Sequence, residues 1–147
     1  MKTFEELKED LLERAKKHHA CQDGYRMGLN AKSKQDLLKA ITDNWYWVLS
    51  TSKMIDANYL EKNFTEEELT EAGIYTRKEH TSNAKSFACG SATVKAYGSA
   101  TVEAYDNSYV EDCTKNINSV SDHGIVKDYY NHKIYIKKGK FKIIGIE

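Results

Sequence analysis

From Asn83 onward the chain repeats itself every eight residues. Asn83-Ala84-Lys85-Ser86-Phe87-Ala88-Cys89-Gly90 aligns with Ser91–Gly98, then with Ser99–Asp106 and Asn107–Thr114, and fainter copies continue through Val126 and Ile134 at the same phase. Within an octad Ala92, Val94 and Ala96 alternate with Thr93, Lys95 and Tyr97. Alternation of period two marks a half-buried strand, and a helical repeat of 3.6 cannot reproduce it. Gly98-Ser99 and Asp106-Asn107 supply turns, because Gly accepts positive φ freely and Asp and Asn tolerate it or bond their own backbone. Each octad therefore predicts one strand and one corner. Its apolar face is made of Ala and Val only, so two strand layers can approach closely. A thin β-solenoid with two or three octads per coil satisfies this pattern, and an antiparallel β-meander satisfies the alternation equally. The solenoid is favoured because identical octads in register stack Thr and Val into ladders.

The first half reads differently. Thr3 with Glu6 forms a capping box ahead of Leu7, Leu11, Leu12 and Ala15 at helical spacing. Ser33 with Asp36 opens a segment with Leu37, Leu38 and Ile41, which runs into Trp45-Tyr46-Trp47-Val48-Leu49. Met54 to Phe64 predicts a short helix, and Thr65 with Glu68 opens another that Gly73 stops. Trp45 and Trp47 are expected in the core. The fold class is thus α+β: a helical part over residues 1–75, then an octad-repeat β part over 76–147. The ends of a strand stack invite edge-to-edge association. The helical half is expected to cover one end, and Lys133–Ile144, with its alternating lysines and Lys138-Gly139 turn, to close the other as a hairpin.

Composition narrows the function classes. Apolar residues are 40% and charged residues 30%, with no proline, which is a globular balance. No run approaches the roughly 18 apolar residues of a membrane span, and Met1–Glu6 lacks the apolar stretch of a signal peptide, so a cytoplasmic setting is expected. The net charge is zero, which argues against nucleic acid as main partner, since such affinity comes from a basic footprint. Three cysteines without CxxC spacing fit neither a disulfide framework nor a zinc site. Cys89 and Cys113 share an octad position three octads apart and are predicted to remain thiols, too distant for a disulfide.

Chemistry-bearing motifs are weak. His80, His123 or His132 could pair with Cys89 or Cys113, but no nucleophile motif surrounds them, and the cysteines stand where other octads carry Tyr. His18 and His19 are adjacent rather than spaced for metal. The glycines match no phosphate-loop pattern. Neither an enzyme, a metal nor a cofactor is implied. The aromatic content points to recognition instead. Tyr97 and Tyr105 fall on the outward parity, flanked by Lys95 and Glu103, and Tyr109 follows in the next octad. With Lys137, Lys138 and Lys140 these form the expected partner-binding residues, Tyr giving contact area at low entropic cost.

The tandem Gly90-Ser91-Ala92-Thr93-Val94-Lys95-Ala96-Tyr97 and Gly98-Ser99-Ala100-Thr101-Val102-Glu103-Ala104-Tyr105, behind a segment such as Asn63–Tyr75, resembles small octad-repeat proteins of gut Bacteroidales phages and mobile elements. The resemblance covers most of the chain and carries no catalytic residues. By analogy with compact proteins of mobile elements, it implies a non-enzymatic inhibitor that contacts a host defence nuclease, an anti-CRISPR protein binding a Cas nuclease. The other expectations are a structural or self-assembly module of a phage particle and a weak nucleic-acid binder through the C-terminal lysines. A homodimer is compatible with each.

Overall fold

The structure, a computed structural model, describes residues 1–116 and 119–137. It divides into two compact units, Met1–Ile74 and Tyr75–Glu147.

The first unit is helical. Helix α1 (Phe4–Lys17) starts at the Thr3 capping box, with Glu6 N–H donating to Thr3 Oγ1 and Thr3 N–H to the Glu6 carboxylate. Helix α2 (Gln22–Asn30) is capped by Cys21, whose sulfur accepts the Gly24 N–H. Helix α3 (Lys34–Asp43) starts at Ser33, which accepts the Asp36 N–H at 3.1 Å. Asp36 returns its carboxylate to the Lys32 N–H, one residue earlier than a full box requires. Next comes a π-helical turn, Tyr46–Thr51, in which the Ser52 N–H reaches back five residues to the Trp47 carbonyl at 2.8 Å. Helix α4 (Ala57–Asn63) lies inside the segment expected to be helical, and α5 (Glu66–Glu71) carries the complete Thr65–Glu68 box before Gly73 at φ 73°. Leu7, Leu37, Leu38, Trp45, Leu60 and Phe64 fill the core of this unit. Trp47, expected there too, is only half-buried.

The second unit is a β-solenoid with two octads per coil. One wall has strand order β1 (Ile74–Tyr75), β3 (Lys85–Ala88), β5 (Thr101–Ala104) and β7 (Ser119–Val120). The other has β2 (Glu79–Ser82), β4 (Thr93–Ala96), β6 (Tyr109–Asp112), β8 (Ile125–Asp128) and β9 (Lys133–Ile136). Thr93 pairs with Tyr109 and Tyr109 with Ile125, a parallel step of 16 residues, and Lys85 pairs with Thr101 by the same step. The first coil is two residues shorter, since Glu79 pairs with Thr93.

Parallel pairing at twice the octad length rules out the meander. The reason lies at the corners. Gly90, Gly98 and Asp106 end successive octads and Asp122 ends a later one, and all four have positive φ between 52° and 58°. At each corner an N–H returns to the carbonyl three residues back, as from Ala100 to Tyr97 at 3.0 Å and from Ser108 to Tyr105 at 3.1 Å. Each left-handed residue thus reverses the chain onto the opposite wall, and two corners close one coil. Ala88, Ala96 and Ala104 line the interior beside Val94, Val102, Val110 and Val126. Where the repeat decays beyond Asp106, two inward polar groups satisfy themselves locally. Ser108 Oγ donates to the Tyr105 carbonyl at 2.7 Å, and the Asp112 carboxylate accepts the Thr114 N–H at 2.8 Å.

A C-terminal hairpin is present: β9 pairs antiparallel with β8, Asp128 opposite Lys133, around a turn at residues 129–132. Asp128 steadies that turn by accepting from the Asn131 backbone and side chain at 2.9 and 2.8 Å. The Lys138-Gly139 turn lies outside the described residues.

Candidate interaction face

The wall of β2, β4, β6, β8 and β9 presents its outward residues in rows set by register. Lys95 lies beside Glu111, and Glu111 beside Lys127. Thr93, Tyr109 and Ile125 form the next row. At the corner beyond the strands the ladder continues, with the Cys113 N–H donating to the Ala96 carbonyl at 3.0 Å and the Tyr129 N–H to the Asp112 carbonyl at 2.9 Å. Tyr97, Cys113 and Tyr129 therefore stack in one column, with Tyr97 45% and Tyr129 43% exposed. Two steps of about 4.8 Å separate the tyrosines by about 10 Å.

The charges on this wall are mutually compensated. Lys95 Nζ lies 3.0 Å from the Glu79 carboxylate, and the hydrogen bond and charge of Glu79 raise the Lys95 pKa. Lys127 Nζ sits 4.7 Å from the centre of the Tyr129 ring, and its pKa is raised chiefly by its hydrogen bond to Tyr129. Burial and the neighbouring Glu111 charge raise the Tyr109 pKa, and its hydroxyl donates to Glu111 at 3.4 Å. The face is a lattice of held side chains: alternating charges, a half-buried Tyr in their midst and two exposed Tyr along one border.

The other wall behaves differently. Glu103 stands there, 3.6 Å from Lys85, and accepts the Tyr105 hydroxyl at 3.2 Å. Tyr105 is only 2% exposed, and Phe87 and Cys89 are buried beside it although all three have outward parity. The expectation of one surface carrying Lys95, Tyr97, Glu103, Tyr105 and Tyr109 is therefore corrected. An octad reverses the chain, so adjacent octads face opposite ways. Lys95, Tyr97 and Tyr109 share a wall; Glu103 and Tyr105 belong to the other, and Tyr105 is not available at the surface. Lys137 follows β9, half-exposed and 4.0 Å from Asp122. Lys138 and Lys140 lie outside the described residues.

Sequence reasoning passed over Glu111, Lys127 and Tyr129. The signal for them is spacing of 16 rather than eight from Lys95 and Tyr97, legible only once two octads per coil is known. Cys89 and Cys113 are not joined in a disulfide, the first buried and the second exposed, on opposite walls because three octads is an odd number of half-coils. Among the described residues no group of three or more His, Cys, Asp or Glu is arranged to hold a metal ion. Among them also, no helix is long and apolar enough to cross a membrane. No known protein family, curated protein or solved structure matches the chain.

Proposed function

We propose that this chain is a non-enzymatic binding protein that docks a protein partner on the wall of β2, β4, β6, β8 and β9. The observation that carries the reading is the column Tyr97–Cys113–Tyr129 bordering the Lys95–Glu111–Lys127 row. Exposed tyrosines offer amphipathic contact area, and side chains already held by neighbours lose little freedom on binding. The near balance of Glu79, Lys95, Glu111 and Lys127 favours a mixed-charge protein surface over a polyphosphate. Given the resemblance to octad-repeat proteins of mobile elements, the partner we propose is a nuclease of a host defence system, of the Cas type.

The test is inhibition of a purified Cas nuclease by the full chain, with binding read by calorimetry. Inhibition at stoichiometric amounts, weakened at least tenfold by combined Tyr97→Ala and Tyr129→Ala, supports the reading. Full nuclease activity at excess protein sinks the nuclease assignment. Undiminished binding by the double variant sinks the assigned face.

A further inference from the structure

The helical unit contains a cavity of about 350 Å³, within the range of small-molecule sites. Leu11, Leu12 and Ala15 of α1, Ile41 of α3, and Trp47 and Val48 of the π-helical turn form its apolar walls. Three features distinguish it from a packing defect. First, α2 turns Gly24 and Gly28 toward it, one helical turn apart. A Cβ on Gly24 would stand 3.3 Å from Asn44 Oδ1, and one on Gly28 3.2 Å from Leu12 Cδ2. The absent side chains let Asn44 and Leu12, both of the lining, pack closely against α2 in a helix whose stability the glycines reduce.

Second, the wall holding Trp47 and Val48 is π-helical, a geometry that is rare and concentrates at functional sites. It is fastened by Ser52, whose hydroxyl donates to the Trp47 carbonyl at 2.9 Å. Third, Asn44 brings an oriented polar group to a mostly apolar lining that also includes His19, Cys21 and Tyr25. Asn44 Nδ2 donates to the Ala40 carbonyl at 2.9 Å and lies 3.7 Å from Met27 Sδ. Asn44 Oδ1 accepts no hydrogen bond among the described residues. A mostly apolar pocket whose lining offers an acceptor with no protein partner among the described residues is the pattern of a site that receives a ring system and fixes its orientation through a donor.

We infer that the helical unit binds a small neutral aromatic molecule bearing one hydrogen-bond donor, of the phenol or indole class, with the donor on Asn44 Oδ1 and the ring against Trp47 and Val48. This site is independent of the solenoid wall, so either can fail without the other.

The probes are 2-naphthol and naphthalene, titrated into the full chain and followed by amide NMR shifts. We expect 2-naphthol to shift Gly24, Gly28, Asn44 and Trp47 saturably and to bind about tenfold tighter than naphthalene, the ratio one hydrogen bond supplies. Ala15→Phe, which fills the cavity from α1, should weaken both probes at least tenfold. Asn44→Ala should reduce 2-naphthol to the affinity of naphthalene. The site is overturned if 2-naphthol gives no saturable shifts, if the shifts fall in the solenoid, or if folded Ala15→Phe binds as before. Equal affinity of the two probes for the unaltered chain overturns the donor requirement.

Discussion

Tyr97 and Tyr105 occupy the same place in consecutive octads, yet Tyr97 is 45% exposed and Tyr105 2%. Each follows an inward alanine and precedes a left-handed corner residue, Gly98 or Asp106. What separates them is half a coil. Tyr97 ends a strand of the open wall. Tyr105 ends a strand of the wall where Phe87 and Cys89 are also buried, and its hydroxyl is tied to Glu103.

This difference sets two mutational outcomes apart. Tyr105→Ala removes a buried ring and should cost about 3 kcal/mol of stability. Tyr97→Ala should change stability by less than about 0.5 kcal/mol, as surface substitutions do, while weakening partner binding. Urea denaturation of the two variants checks this; equal costs would contradict the assignment of walls.

A coil of two octads also predicts which deletions the solenoid accepts. Removing residues 91–106 deletes one whole coil and returns β6 to the wall that β4 occupied. Circular dichroism should retain the strand signal, with a cooperative transition at lower temperature. Removing residues 91–98 keeps strand parity but moves every later strand to the opposite wall, bringing Tyr105 to the open corner and Cys113 to the buried one. That variant should be less stable than the longer deletion, although it loses fewer residues.

The corner glycines should differ sharply. A Cβ on Gly124 would lie 2.6 Å from the Ala104 carbonyl oxygen, which is backbone and cannot move aside. Gly124→Ala should destabilise by about 2 kcal/mol through this overpacking. Gly98 has φ 58° and open space around its missing Cβ, so Gly98→Ala should cost only the left-handed penalty of about 1 kcal/mol. Thermal unfolding of both variants distinguishes steric from conformational cost.

In the helical unit Asp10 accepts from the Tyr59 hydroxyl, from Arg14 Nε at 3.0 Å and from Lys2 Nζ at 2.9 Å. Partial burial alone would raise its pKa, but these hydrogen bonds outweigh burial and lower it from 3.8. A carboxylate with depressed folded-state pKa stabilises above the unfolded value, and that contribution is lost as the pH falls through the folded one. Stability should therefore drop below about pH 4. Asp10→Asn should lose about 1–3 kcal/mol at neutral pH and flatten the decline in the acid range. Denaturation midpoints measured from pH 7 to pH 2 check the sign.

Much of the local structure was legible in the residues. The Thr3–Glu6 and Thr65–Glu68 boxes start α1 and α5 because a cap is a contact between neighbours in sequence. Helix α2 escaped notice: its cap is a cysteine, it holds two glycines, and none of its residues is fully buried, so it lacks the usual signals. The candidate face was half legible. Lys95, Tyr97 and Tyr109 belong to it, whereas Glu103 and Tyr105 do not.

The sequence by itself determined strand parity. Eight is even, so every octad returns Ala and Val to the inside whatever the coil, and this depends only on the alternation of side chains along an extended backbone. The tertiary structure alone decided how many octads make a coil, hence which outward residues stand side by side. That choice is made by left-handed corners at Gly90, Gly98, Asp106 and Asp122 acting together with pairing across 16 residues, and closure of a coil is a property of stacked strands that no single octad contains.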